Sequence, residues 1–477
     1  MLNSIQGCKL AYTIDAVSIT YLNTLKFRSM KTTYLLLLLS LLGCGSPPAA
    51  YDLIITNVHL IDGTGEASQP NVHVYIKNNK IVAIDSGAVK SGSKIINGTG
   101  KYLIPGLFDA HAHTSDYEND FPKFVHFGVT SIFCPGGSKT TNDYFANMRA
   151  MGEQDSIPAP RVFHTSQHFT MEGRHPAKTY AQSNWIEGAS IFYLKDTLQI
   201  ERLVAQVSKF PITGIKLTIE DGPEPPFVER MPQVFINKVA TEAKKNGTEV
   251  FAHVSDNTEL AMAFKAGIRN IIHYTGVDLD FEKDSTLLAA IYSEPLSWVT
   301  TLMIDKSLMY AMYPDWATTI EQINLFDPKE VQMLRDSMTI ERAKGYLNML
   351  ENDFGIKDAN YENTLIPYVE EIKILYKNGV NMVLGTDTGN TFIFPGYSLH
   401  EEMQILELGG MAPLDILKMG THNAAKMLHV LDTHGTLEVG KYADMILLDK
   451  NPLEAIKNTL AIQTVIKNGK VQQRMDE

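Results

Sequence analysis

The sequence predicts an α/β protein, a (β/α)8 barrel with a small β-sandwich domain built from both chain ends. Three observations carry this. Between Lys101 and Leu384, apolar runs of four to six residues alternate with amphipathic helical stretches, the pattern of parallel βαβ units. Both ends of the chain carry a different pattern, short β-like runs punctuated by turns. The 477 residues are 44% hydrophobic and 20% charged, enough for one barrel-sized domain and an accessory.

The N-terminus reads as an address rather than as fold. Met30-Lys31 opens a short positive region, and Tyr34 to Leu42 is an apolar stretch too short to span a bilayer as a stable helix. Leu41-Leu42-Gly43-Cys44 follows, then Gly45-Ser46-Pro47-Pro48. This end resembles a bacterial lipoprotein signal peptide. The resemblance implies a lipid on Cys44, which becomes the mature N-terminus and anchors the chain in the bacterial cell envelope. Gly45 after the cysteine, by the same resemblance, implies the outer membrane or otherwise the periplasmic face. An ordinary secretory signal cleaved nearby is the alternative. Residues 1–29 then read as an upstream extension before the true start, 30–43 as signal peptide and 44–50 as a spacer. The three cysteines are Cys8, Cys44 and Cys134. Only Cys134 is left in the mature chain, so no internal disulfide forms there. It follows an apolar run and reads as a buried structural thiol rather than a nucleophile.

The elements follow in order. Leu53–Leu60 is rich in Ile and Val, Asp62-Gly63-Thr64-Gly65 is a turn, and Val72–Lys77 and Lys80–Ile84 flank the hairpin pair Asn78-Asn79. Ala443–Leu448, Thr464–Lys467 and Lys470-Val471, the last after Asn468-Gly469, repeat the style. Residues 51–103 and 435–477 are therefore read as one composite β-domain. The eight barrel runs are Lys101–Ile104, Val129–Phe133, Arg161–His164, Gly214–Leu217, Glu249–His253, Asn270–His273, Trp298–Leu302 and Asn381–Leu384, within 104–434. The stretch at about 277–378 is mostly helical with one strand near Trp298. It reads as carrying an insertion that covers the mouth of the barrel.

An active site on such a barrel lies at the C-terminal strand ends. The first run leads into Pro105-Gly106-Leu107-Phe108-Asp109-Ala110-His111-Ala112-His113. Residues i and i+2 of a strand share a face, so His111 and His113 aim two imidazoles at one point. Neutral imidazole is the commonest side-chain ligand for a divalent metal. Lys216 is next to last in the fourth run, His253 ends the fifth and His273 the sixth, and Asp387 follows the eighth. The net charge of -12 and the lack of a Lys/Arg cluster argue against a nucleic-acid partner.

These residues resemble the amidohydrolase superfamily, and more narrowly its imidazolonepropionase-like and Xaa-Pro or Xaa-Arg dipeptidase-like branch. The Pro-Gly-Leu-x-Asp-x-His-x-His opening carries the resemblance. So do Gly385-Thr386-Asp387, Ser398-Leu399-His400-Glu401-Glu402, Thr421-His422-Asn423-Ala424-Ala425, Trp298-Val299-Thr300-Thr301-Leu302 and the stretch from Gly435 to Asp444. The resemblance implies two divalent ions, usually zinc, holding a hydroxide between them. His111, His113 and Asp387 would hold the more buried ion, and His253 and His273 the outer one. Lys216, carboxylated by CO2, would bridge both. An ammonium cannot ligate a cation, whereas a carbamate is an anionic oxygen donor. The alternative for Lys216 is an ion pair with a carboxylate such as Glu220. Asp387 would act as general base and then general acid in hydrolysis of a C–N bond, with ester or lactone cleavage open to the same machinery.

The substrate candidates are fewer. His175, in Glu172-Gly173-Arg174-His175-Pro176, matches a Gly-x-His element of the branch that suits a substrate carbonyl; a surface-loop histidine is the alternative. Arg174 beside it is a candidate for a substrate carboxylate. Tyr274 either donates to a developing oxyanion or packs under the helical stretch. Asp109 either orients an imidazole or bonds backbone. His400 and His422 read as structural or supporting. Val254-Ser255-Asp256 after His253, and Phe163 to His168, depart from the dipeptidase pattern where substrate would sit. The small-molecule substrate is thus a dipeptide or a cyclic amide. A mononuclear deaminase and a non-catalytic ligand-binding lipoprotein are the other readings, and a homo-oligomer is compatible with all of them. In a bacterial host, Cys44→Ala is expected to move the protein from the membrane fraction to the soluble fraction on ultracentrifugation.

Overall fold

The computed structural model describes residues 50–222, 227–274, 277, 279–313, 320 and 322–475. Cys44 and the signal and start-site readings lie outside them. Five strands come first: β1 (Tyr51–Leu60), β2 (Gln69–Lys77), β3 (Lys80–Asp85), β4 (Gly92–Asn97) and β5 (Tyr102–Pro105). Then come β6 (Leu107–Asp109), β7 (Val129–Cys134), β8 (Arg161–Thr170), β9 (Ile191–Tyr193), β10 (Gly214–Thr218), β11 (Glu249–His253), β12 (Asn270–Ile272), β13 (Ser297–Val299) and β14 (Asn381–Val383). The last are β15 (Met445–Leu448), β16 (Ile462–Lys467) and β17 (Lys470–Val471).

The strands of both chain ends form one mixed sheet in the order β17-β16-β15-β5-β1-β2-β3, with β4 beside β1. Alternating apolar residues give it a buried face of Leu53, Ile55, Val74, Ile76, Leu103 and Leu447. One expectation is corrected here. The run Lys101–Ile104 does not open the barrel: β5 lies between β1 and β15 in the terminal sheet. The chain changes sheets at Gly106, whose N–H donates to Asp444 O at 2.9 Å, while Leu107 N donates to Gly128 O at 3.1 Å. Glycine is needed there, because a Cβ would collide with Thr130. An apolar run alone does not say which of two adjoining sheets it joins.

The second sheet is parallel, with β6, β7, β8, β10, β11, β12, β13 and β14 in chain order and the unanticipated β9 paired to β8. It curls until the segments just past its outer strands meet: Ala110 N donates to Leu384 O at 3.0 Å and Asp387 N to His111 O at 2.8 Å. β7 is buried along its whole length, as expected of a parallel strand covered on both faces. Phe108, Phe133, Phe251, Ile272, Val299 and Val383 fill the inside of the curl and pack with Ala424, Ala425, Met427 and Leu428. Helices cover the outside. Thr197–Val207 is one: Asp196 caps it by accepting from Gln199 N at 2.7 Å, and Ile200, Val204 and Val207 face the sheet. Between β13 and β14 the chain is helical at Met303–Met309, Pro328–Met333, Ser337–Asn352 and Tyr361–Lys377.

One buried carboxylate locks the end of β13. Glu402, on the helix Tyr397–Leu408, accepts from Thr300 Oγ1, from Leu302 N at 3.0 Å and from Met303 N at 2.9 Å. Burial raises its carboxyl to about 7 against the pull of those bonds. Glu402→Ala leaves three donors unpaired at once. It is expected to cost on the order of 3 kcal/mol in denaturant unfolding.

Candidate metal centre

Polar residues follow the apolar filling along the same inward face. On β10, Gly214, Lys216 and Thr218 alternate inward, and Gly214 leaves room for the Phe251 ring. On β11, His253 lies two residues beyond Phe251. His273 breaks the alternation: it follows the inward Ile272, yet its φ of 73° turns the backbone left-handed. Asp387 (φ 62°) and Thr301 (φ 58°) share this strained conformation. Such residues gather where a site holds side chains in place.

Two groups of side chains result. In the first, His111 Nε2 and His113 Nε2 are 3.0 Å apart, and Asp387 Oδ1 lies 3.3 Å and 3.1 Å from them. His113 Nδ1 donates to Gly136 O at 2.6 Å, so Nε2 is the nitrogen turned to His111 and Asp387. Burial pushes the His113 imidazole down, but Asp387 and Cys134 outweigh it and hold it at about 10. Burial and the neighbouring cationic groups keep His111 neutral, well below the usual histidine range. Asp109 does not touch an imidazole. It accepts from His111 N at 3.2 Å, Thr386 N at 3.1 Å and Thr386 Oγ1 at 2.7 Å. That decides between the two sequence readings of Asp109 in favour of backbone anchoring.

In the second group, His273 Nε2 lies 3.2 Å from His253 Nδ1, and His273 Nδ1 is 2.9 Å from Thr301 Oγ1. The His111 and His273 rings are 4.5 Å apart between centroids, so the two groups adjoin. Lys216 is 1% exposed. Burial lowers its ammonium to about 8 against the attraction of Asp387, Glu220 and Cys134. Glu220 makes no ion pair with it. Its carboxylate instead contacts His253 Nε2 and lies 3.6 Å from His175 Nε2.

The donor set fits divalent cations. Imidazole nitrogens and a carboxylate oxygen, all lone-pair donors, converge from separate strands at about the spacing of ligands on one ion. A model of the amidohydrolase family matches residues 102–472. The chain belongs to this family. Ochratoxinase of Aspergillus niger is 25% identical over 86% of this chain and 85% of that protein. Imidazolonepropionase of Fusobacterium nucleatum is 21% identical over 85% of this chain and 92% of that protein. The crystal structure of a Xaa-Pro dipeptidase with methionine in its active site has a TM-score of 0.66 and 20% identity, covering 88% of this chain and 99% of that one. The chain is thus an enzyme, an amidohydrolase acting on C–N bonds. Its family generally uses divalent metal ions, and the candidate groups here are His111, His113 and Asp387, and His175, Glu220 and His253.

The remaining candidates of this amidohydrolase sit as follows. His175 is buried, with Nδ1 2.6 Å from Thr179 Oγ1. Arg174 turns its guanidinium to Arg230 O and to Glu229, 2.7 Å away. Tyr274 donates to Glu371 Oε2 at 2.5 Å and packs at a tilt against Trp298, in the layer between sheet and helices. The residue after an inward ligand faces outward, which places its ring there. Cys134 is buried beside Gly136, a structural thiol. His400 bridges Thr459 Oγ1 and Phe127 O, both at 2.8 Å.

Two residues went unnoticed as site members. Glu220 had a legible signal, since Lys216, Thr218 and Glu220 continue one alternating face. His168 is the register partner of Lys216 across β8 and β10. Its Nδ1 is 3.3 Å from Thr218 Oγ1, its Nε2 is buried without a partner, and Gly136 packs where a Cβ would strike the ring. Asp109→Ala takes the acceptor from His111 N and from both donors of Thr386, of which Oγ1 keeps Thr388 Oγ1 at 2.6 Å and N keeps only a long bond to His111 O. It is expected to lower stability by about 1–3 kcal/mol per stranded donor and to reduce bound metal, read by thermal unfolding and elemental analysis.

Proposed function

We propose that the chain is a metal-dependent hydrolase of amide-type C–N bonds, built on a closed (β/α)8 barrel and loaded with two divalent ions, zinc first among them. The convergence of His111, His113 and Asp387 beside His253 and His273 carries this reading. The first three would hold one ion, the two histidines the other, and a carboxylated Lys216 would bridge them. Bound there, the ions would polarise a carbonyl and acidify a water.

The chain's own residues account for the rest. The Lys216 amine, lowered to about 8, is partly uncharged near neutral pH and free to attack the carbon of CO2. The product is a carbamate, with loss of one proton. Burial pushes the Asp387 carboxyl up, but its bond to His113 and the neighbouring His113, His273 and Lys216 together hold it below the usual carboxylate range. It can therefore accept a proton from the attacking water and pass it to the leaving nitrogen as the C–N bond breaks. A dipeptide, Xaa-Pro included, is the first substrate reading. The engagement of Arg174 by Glu229 and Arg230 favours a second. A cyclic amide or lactone offers no free carboxylate and needs no such arginine. Lipidation at Cys44 would place this chemistry at the cell envelope.

Lys216→Ala and chelator treatment are each expected to cut turnover by about 10²–10³-fold, the equivalent of several kcal/mol of transition-state stabilisation. The assay is mass spectrometry on a mixture of dipeptides, N-acyl amino acids, cyclic imides and lactones. Full activity in metal-stripped protein contradicts the proposal. Free amino acids from dipeptides identify a peptidase, and ring opening without them identifies a cyclic amide or lactone hydrolase.

A further inference from the structure

Glu220 is a buried carboxylate that the proposed reaction does not use. It is 3% exposed and lies two residues beyond β10, in step with Lys216 and Thr218. Its Oε2 is in contact with His253 Nε2 and lies 3.6 Å from His175 Nε2, yet among the described residues it accepts no hydrogen bond. A carboxylate oxygen buried without a donor is costly, and His253 Nε2 is the nearest atom that can supply a proton to it. A neutral imidazole carries one N–H. With Nε2 protonated, Nδ1 keeps its lone pair, and Nδ1 is the atom 3.2 Å from His273 Nε2. His273 is set in the opposite sense when its Nδ1–H donates to Thr301 Oγ1, 2.9 Å away, which leaves its Nε2 bare. Two lone pairs then meet across a gap that a cation would satisfy.

We infer that Glu220 is a positioning residue that holds His253 as its Nε2–H tautomer, so that Nδ1 of His253 and Nε2 of His273 take the outer ion together. The inference rests on the two-ion reading and deepens it. A competing arrangement uses the same atoms. Glu220, His175 and His253 Nε2 offer three donors within 4.8 Å of one another, which would make Glu220 itself a ligand. The two arrangements protonate His253 on different nitrogens and respond differently to an amide at position 220. A glutamine carbonyl still accepts from Nε2–H, but it is a poor substitute for a ligating carboxylate. A leucine does neither.

The test titrates zinc into the metal-stripped full chain against a competing chelator, with wild type beside Glu220→Gln and Glu220→Leu. Wild type is expected to take two ions. Glu220→Gln is expected to stay close to it, and Glu220→Leu to bind one of the two about 10–100-fold more weakly with the other unchanged. Equal losses in both variants would make Glu220 a ligand and overturn the inference. So would a leucine variant with two wild-type affinities. The ¹⁵N shifts of His253 in metal-stripped wild type give a second readout that needs no variant to fold. An Nε2–H tautomer is expected, and Nδ1–H overturns the inference. A wild type that takes only one ion refutes the two-ion reading, and the tautomer then decides the role of Glu220 alone.

Discussion

The carboxylate of Asp109 joins the two ends of the parallel sheet. It accepts from His111 N on one side and from Thr386 N and Oγ1 on the other, across 277 residues of sequence. Burial raises its carboxyl to about 7, so these bonds are what retain a group that the interior disfavours. His111 and Asp387 are the immediate neighbours of the bonded atoms, and both belong to the first ligand group. Gly385 permits the close approach, since a Cβ there would stand 2.5 Å from Val299 Cγ1 and 2.9 Å from His111 N. Closing the sheet and assembling this half of the site are one event.

The other half depends on how the inside of the curl is filled. Large apolar side chains come just before the polar groups along the strands. The polar groups that follow have only one another and the far opening to face. That is why Lys216 and four histidines are buried together with their charged forms disfavoured. A cluster of neutral imidazoles is a poor arrangement for a folded chain on its own and a good one for a chain that binds cations. Glu402 and Thr301 extend the support outward: Glu402 fixes the segment after β13, and Thr301 in that segment faces His273.

Much of this was legible in the sequence because period-2 alternation and strand-end position are local signals. The runs ending just past Lys216, at His253 and His273 and near Asp387 coincide with β10, β11, β12 and β14 to within a residue or two. Three things were not legible. The run before Pro105 joins the terminal sheet, a choice made by its partners β1 and β15 and not by its own residues. The left-handed backbone at His273 and Asp387 is imposed by tertiary contacts, since neither residue type demands it. The engagement of Arg174 by Glu229 and Arg230 O joins residues 55 and 56 positions apart, beyond any local pattern.

The family membership and the ligand geometry leave one central claim, that two divalent ions lie side by side among these five strand ends. Anomalous diffraction at the zinc edge, from crystals of the zinc-loaded enzyme, tests it most directly. The account predicts two peaks, one among His111, His113 and Asp387 and one between His253 and His273. A single peak, or none at these residues in a fully active preparation, would contradict it.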